Sequence, residues 1–245
     1  MIEDTHIDIW KQRAEKFNNI GWVTDNDLLR FIYESLQLKG EEKILDAGIG
    51  TGILAKFILK QSPEVKMYGL DSSKEMTSYI DDERIIVRIG DLKNMPFTDD
   101  LFDRVILRHV IHHCVGYTSL VIKEARRILK PEGKIVICES IPISDDCISD
   151  FSQIVTLKEN RLVFTAENFW QMLFKFKDIC AGSIILKQQS IKNWLDNCIE
   201  DNFLKIRIFD NHKFTSGIYK KAANMVEADN DILVDMKFIV VRGEK

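Results

Sequence analysis

Apolar residues recur at helical spacing near the start of the chain. Ile7, Trp10, Ala14 and Phe17 predict an amphipathic helix within 3–18, broken by Asn18-Asn19-Ile20-Gly21. Thr24 or Asp25 is placed to cap a second helix carrying Leu28, Leu29, Ile32 and Leu36. From about residue 40 to 139, short apolar runs alternate with amphipathic stretches. That alternation predicts βαβ units, a parallel sheet and helices on both faces. Ligands of such sheets bind beyond the carboxyl ends of the strands. Asp46, Asp71, Asp91 and Arg108 fall at those ends and should converge.

The last third departs from this repeat. Residues 149–159 read as a helix, and Thr165-Ala166-Glu167-Asn168 as a cap opening another with Phe169, Leu173, Phe174 and Phe176. Ser183 to Gln189 and Ile232 to Val241 read as a sixth and a seventh strand. Roughly forty residues separate them, with Trp194, Leu195, Phe203, Phe209, Phe214 and Tyr219. A connection that long usually has a function or structure of its own. The expectation is one domain over 1–245, with an N-terminal helical cover (1–38), a cofactor-binding core (40–140) and a helical insertion (190–228) forming part of a lid.

The sharpest local signal is Ile44-Leu45-Asp46-Ala47-Gly48-Ile49-Gly50-Thr51-Gly52. Glycine lets the chain turn sharply and press its backbone against a ligand. The following helix points its free N–H groups at the same spot. A nucleoside-bearing cofactor is therefore expected across Gly48, Gly50 and Gly52. A dinucleotide loop spaces its glycines G-x-G-x-x-G and seats a pyrophosphate. Here the spacing is G-x-G-x-G, and Asp46 would repel a pyrophosphate while favouring a cationic ligand.

Composition narrows the classes. The formal net charge of −4 and the lack of a basic surface argue against a nucleic-acid partner. No apolar stretch approaches the roughly 20 residues that span a bilayer, so no membrane association is expected. Cys114, Cys138, Cys147, Cys180 and Cys198 are dispersed, without a C-x-x-C pair. They read as reduced thiols of a cytoplasmic protein, not a disulfide frame or zinc site.

The glycine run resembles the motif of class I S-adenosylmethionine-dependent methyltransferases, D/E-x-G-x-G-x-G. Further pieces follow in that family's order: Val65 to Asp71, Ile85 to Asp91 with Leu92, Phe102 to Leu107, and the turn Leu129-Lys130-Pro131-Glu132-Gly133 before a fifth strand. The prefix Trp10, Ala14, Phe17, then Gly21-Trp22-Val23-Thr24-Asp25, and the distal Asn193-Trp194-Leu195-Asp196-Asn197, look like a subgroup of the small-molecule enzymes of the ubiquinone/menaquinone-biosynthesis type. The resemblance implies a Rossmann-like, seven-stranded, mostly parallel α/β sheet with an antiparallel last strand.

It also implies S-adenosyl-L-methionine as cofactor, held by Asp46, Ala47, Gly48, Gly50, Gly52, Asp71, Ser72, Asp91, Leu92 and Arg108. Asp71 would accept both ribose hydroxyls; the competing reading is a cap for the helix beginning near Ser73. Asp91 and the Leu92 N–H would meet adenine; the alternative is a solvated loop acid. Asp46 would touch the cofactor's ammonium or merely brace the loop. Arg108 would lend its carbonyl.

Arg108-His109-Val110-Ile111-His112-His113 follows the fourth strand. His113 or His109 could act as a base; equally, these histidines could cap a helix or pack beside the cofactor. No metal is expected, because no clustered acids accompany them. Trp10, Phe17, Trp22 and Trp194 are the expected substrate contacts, and packing is the rival role. Methyl transfer is chiefly a matter of alignment, so a sharp catalytic motif is not required. No N-P-P-Y-like stretch follows the fourth strand, which weakens a nucleic-acid substrate. The expected acceptor is a small metabolite, with oxygen preferred to nitrogen or carbon. A homodimer is open, as are two other functions: a non-catalytic cofactor-binding subunit and a nicotinamide oxidoreductase.

Overall fold

In the computed structural model, which describes Trp10 and residues 13–245, strands and helices alternate through the first two thirds of the chain. Strands β1 (Lys43–Ala47), β2 (Lys66–Asp71), β3 (Ile85–Ile89), β4 (Phe102–Arg108) and β5 (Leu129–Ile141) are parallel to one another. β6 (Lys177–Ser190), a short β7 (Val226–Ala228) and β8 (Asp231–Glu244) follow. The sheet order is β3-β2-β1-β4-β5-β8-β6, with β8 antiparallel to both neighbours. This is the expected architecture with one addition, β7, which pairs with β8 over three residues.

The sheet is covered on both sides, as the near-continuous burial of its strands requires. Side chains alternate between faces. Leu45, Val105 and Leu107 join Val121, Ala125 and Ile128 of the helix Thr118–Ile128. Ile44 and Ile106 join Leu29 and Ile32 of the helix Asn26–Leu36 and Leu54 and Ile58 of the helix Ile53–Gln61. Asp25 caps the helix Asn26–Leu36 by accepting from the Asp27 and Leu28 N–H groups, as one of the two predicted caps.

A third core cluster sits beyond the carboxyl ends of the parallel strands. β5 leaves its partner at the Ile141–Lys237 pair, but β6 and β8 stay paired as far as Ser190 and Leu233. The projecting ribbon carries the helices Ile191–Cys198, Asn202–Lys213 and Gly217–Ala222. Ile191, Leu195, Ile208 and Tyr219 pack there with Ile20, Val23, Ile154 and Val155.

Three local expectations are corrected. Asn18 to Gly21 does more than end the first helix: Phe17–Asn19 is a 3-10 turn, and Gly21 opens a helix to Thr24. The expected helix over 3–18 is helical at Trp10, Arg13 and Ala14; Ile7 lies outside the described residues. The helix opening at Ala166 stops at Met172, leaving Phe174 exposed. No helix among the described residues is long and apolar enough to cross a membrane.

Candidate active site

The glycine run forms a cradle between β1 and the helix Ile53–Gln61. Gly48, Gly50 and Gly52 have φ of 86°, 56° and 77°, a region that L side chains rarely adopt. A Cβ on Gly48 would stand 2.7 Å from Val110. The Leu70 carbonyl accepts from the Gly48 and Ile49 N–H groups at 2.7 and 3.1 Å, which sets the loop over β2. Gly69 is required beneath it, since a side chain there would collide with Ile49.

The strand-end acids converge as expected. Asp46, Gly48, Gly50, Asp71, Ser72, Asp91, Leu92 and Arg108 line one cleft of about 600 Å³. Ala47 and Gly52 do not: Ala47 is fully buried in the sheet, and Gly52 backs onto Ile80. Asp71 Oδ2 accepts from the Gly50 N–H at 2.8 Å and Oδ1 from the Ser73 N–H at 2.9 Å. The carboxylate thus ties two loops together, while Ser73 itself caps the following helix. An ionised carboxylate has about four acceptor sites, so acceptor capacity remains. Asp91 is half exposed and pairs with Lys93 Nζ at 3.2 Å.

Asp46 is buried, and its Oδ1 has no hydrogen-bond partner. Burial pushes its carboxyl up to about 7, against the pull of Arg108 and with help from Asp71. A buried acceptor of this kind calls for a donor or a positive charge. The Arg108 guanidinium does more than the sequence indicated. Its Nη2 donates to the Val23 carbonyl at 2.7 Å, so the cleft floor holds the N-terminal cover. Thr51 Oγ1 donates to Asn18 Oδ1 at 2.6 Å beside it. The Asn193 amide completes the stitching: it accepts from the Gly21 N–H and donates to the Asn19 carbonyl, both at 2.9 Å.

Behind the cleft lies an inner chamber of about 100 Å³. Trp10, Phe17, Trp22, His109 and His113 line both spaces, and Trp194 lines the chamber. Of the insertion's aromatics, Trp194 and Tyr219 reach the chamber, whereas Phe203 and Phe214 are exposed.

His109 has φ of 53°, stacks on Trp22 at 4.5 Å between centroids, and buries an Nε2 with no partner. His113 meets the Trp10 ring edge-on at 5.0 Å. Glu139 was missed by sequence reasoning. It is fully buried; its Oε2 lies 2.7 Å from His112 Nδ1 and 3.8 Å from His109 Nδ1. The signal was available: a lone acid in the apolar strand Ile135 to Ile141. Burial holds all three histidines well below 6.5, so they are neutral at neutral pH.

A single carboxylate stands beside each pair of histidines, and neither group holds two acids. His109, His112 and Glu139, and likewise His112, His113 and Glu159, bring potential metal-ligand atoms within 4.8 Å of one another. Their setting is nonetheless cationic. Glu159 is bridged by Arg13 at 3.2 Å and Lys158 at 3.0 Å, and Arg161 also lines the chamber. Those fixed charges oppose a divalent cation.

A family profile described as a methyltransferase domain matches residues 45–137. A ubiquinone/menaquinone biosynthesis C-methyltransferase UbiE of Geotalea uraniireducens is 31% identical over 186 residues, 64% of this chain and 76% of that protein. A demethylmenaquinone methyltransferase of Thermotoga maritima is 35% identical over 53% of this chain, which spans 58% of that relative's length. The solved YcgJ protein of Bacillus subtilis superposes with a TM-score of 0.76 at 19% identity, over 90% of this chain and 99% of that one. A Haemonchus contortus phosphoethanolamine N-methyltransferase 2, solved with S-adenosyl-L-methionine, gives 0.64 at 17% identity over 95% and 57%. At such identities the two structures speak to the fold alone. With the glycine cradle, the strand-end acids and these relatives together, the chain belongs to the class I S-adenosylmethionine-dependent methyltransferases.

Proposed function

We propose that this protein transfers a methyl group to a hydroxyl-bearing small molecule seated in the inner chamber. One observation carries the reading: the cofactor cleft and the chamber meet at a shared wall of Trp10, Phe17, Trp22, His109 and His113. S-adenosylmethionine, when bound, supplies an electrophilic sulfonium methyl. Asp46 offers its unpaired oxygen to the positive end of that ligand, Asp71 and Ser72 face its sugar, and Asp91 and Leu92 its base. The aromatic wall excludes water and fixes the plane of the acceptor.

His109 is the better placed base of the two expected. Its unpartnered Nε2 can accept the acceptor's proton, and Glu139 stands behind Nδ1 to stabilise the resulting imidazolium. His112 holds that carboxylate in place. Deprotonating a phenol activates its oxygen and, through the ring, the adjacent carbon. We favour oxygen; the names of the quinone-biosynthesis relatives support carbon as a second reading.

Incubation with isotopically methyl-labelled cofactor and a metabolite extract tests the activity. Label should appear in a small organic product, as a methoxy group by NMR on the first reading and a C-methyl group on the second. Tight binding of cofactor with no labelled product from any extract would leave a non-catalytic binding protein.

A further inference from the structure

The chamber wall is cationic beyond what its own acids neutralise. Among the described residues, Arg13, Lys158, Arg161 and Lys237 line it with one acid, Asp235. Asp235 is already engaged by Lys187 and Asn224, both at 2.7 Å. Behind the wall, Glu159 is shared by Arg13 and Lys158, and Glu139 is committed to His112. With Asp235 taken by Lys187, the four cations of the wall face only Glu159 and Glu139, so positive charge is in excess.

Arg161 is where that excess is least satisfied. Its Nε makes only a long contact, 3.4 Å, with the Leu162 carbonyl, and its terminal nitrogens make no hydrogen bond among the described residues; Glu139 and Glu159 attract it without closing an ion pair. A guanidinium carries five donors in a planar fork that matches a carboxylate. A partly buried cation left without such a partner is costly. Beside the histidines, the aromatic rings of Phe17, Trp22, Phe151 and Trp194 line the same space. A neutral, lipid-like quinol would leave the guanidinium fork unused.

We infer that the acceptor is a planar aromatic monoanion, whose carboxylate pairs with Arg161 while its hydroxyl faces His109. The inference rests on the methyl-transfer reading and names the class of acceptor for it. The planar fork of one guanidinium matches a carboxylate in the plane of an aromatic ring.

Calorimetry on the full chain saturated with S-adenosylhomocysteine tests this. The probes are hydroxybenzoates and hydroxynaphthoates, each beside its uncharged primary amide, with phenyl phosphate as the dianion. At least one acid should bind on the order of tenfold tighter than its amide. Arg161→Gln should bring that ratio close to one, Arg161→Lys should keep part of it, and S-adenosylhomocysteine affinity should stay within about twofold. The ratio in the parent protein needs no variant, so misfolding of Arg161→Gln cannot hide the answer. Acids that bind no better than amides, no acid binding at all, or a preference for phenyl phosphate would each overturn the inference. Failure of the parent to bind S-adenosylhomocysteine would instead defeat the methyl-transfer reading beneath it.

Discussion

The cofactor cleft and the chamber behind it are built by different means. The cleft is made of backbone. Its loop is fixed by main-chain hydrogen bonds to β2, by left-handed glycines and by one carboxylate that accepts from two N–H groups. The chamber is made of side chains from stretches far apart in the chain, among them those near Trp10, Trp22, His109, Lys158, Trp194 and Val234. It is held by a few polar stitches, notably Arg108 to Val23 and Asn193 to Gly21 and Asn19. A backbone site recognises what a whole family shares, whereas a side-chain site can be recast for each acceptor.

The hardest break in this contrast is at the loop. Gly48→Val sets a β-branched residue at φ of 86° against Val110. It should weaken S-adenosylhomocysteine binding by about a hundredfold or more, measured by calorimetry, because strain and clash act together. On the chamber side, His109→Gln should lower turnover by on the order of a hundredfold, with cofactor affinity unchanged. A fall of less than about fivefold would mean alignment alone carries the reaction.

Asp46 sharpens the contrast through pH. Its folded carboxyl is raised to about 7 from 3.8, so its ionisation costs stability. The ligand-free protein is unpenalised below about pH 4 and loses this contribution as pH rises through about 7. A cationic ligand removes the penalty. Affinity for S-adenosylmethionine should therefore rise on the order of tenfold between about pH 5.5 and 7.5, with proton release on binding. Asp46→Asn should flatten that dependence. The smallest expected effect is at the stitching: Asn193→Ala removes two hydrogen bonds worth roughly 1 kcal/mol each. It should raise the acceptor KM several-fold and leave cofactor affinity unchanged.

The same contrast explains what was legible in the sequence. The cleft residues are contiguous or stand at strand ends, so local periodicity and glycine spacing located Asp46, Gly48, Asp71 and Asp91. The chamber's charged residues owe their positions to packing between distant segments. Glu139 meets His112 across 27 residues and Arg13 meets Glu159 across 146. Arg108 could be placed at a strand end, but the direction of its guanidinium depends on a cover helix whose start at Gly21 read as a break. Phe203 and Phe214 looked like cover by composition; helix orientation turned them outward.

The account stands on the two regions acting as one site, with Arg108 and Thr51 carrying the coupling from loop to cover. Hydrogen exchange with and without saturating S-adenosylhomocysteine tests it most directly. Amides of residues 13–25 and 190–199 should gain protection on binding, although most of them lie outside the cleft, and Arg108→Lys should abolish that gain while the glycine loop is still protected. Equal exchange in both segments with and without ligand, alongside clear protection of residues 46–52, would contradict the coupling and leave the cover as static packing.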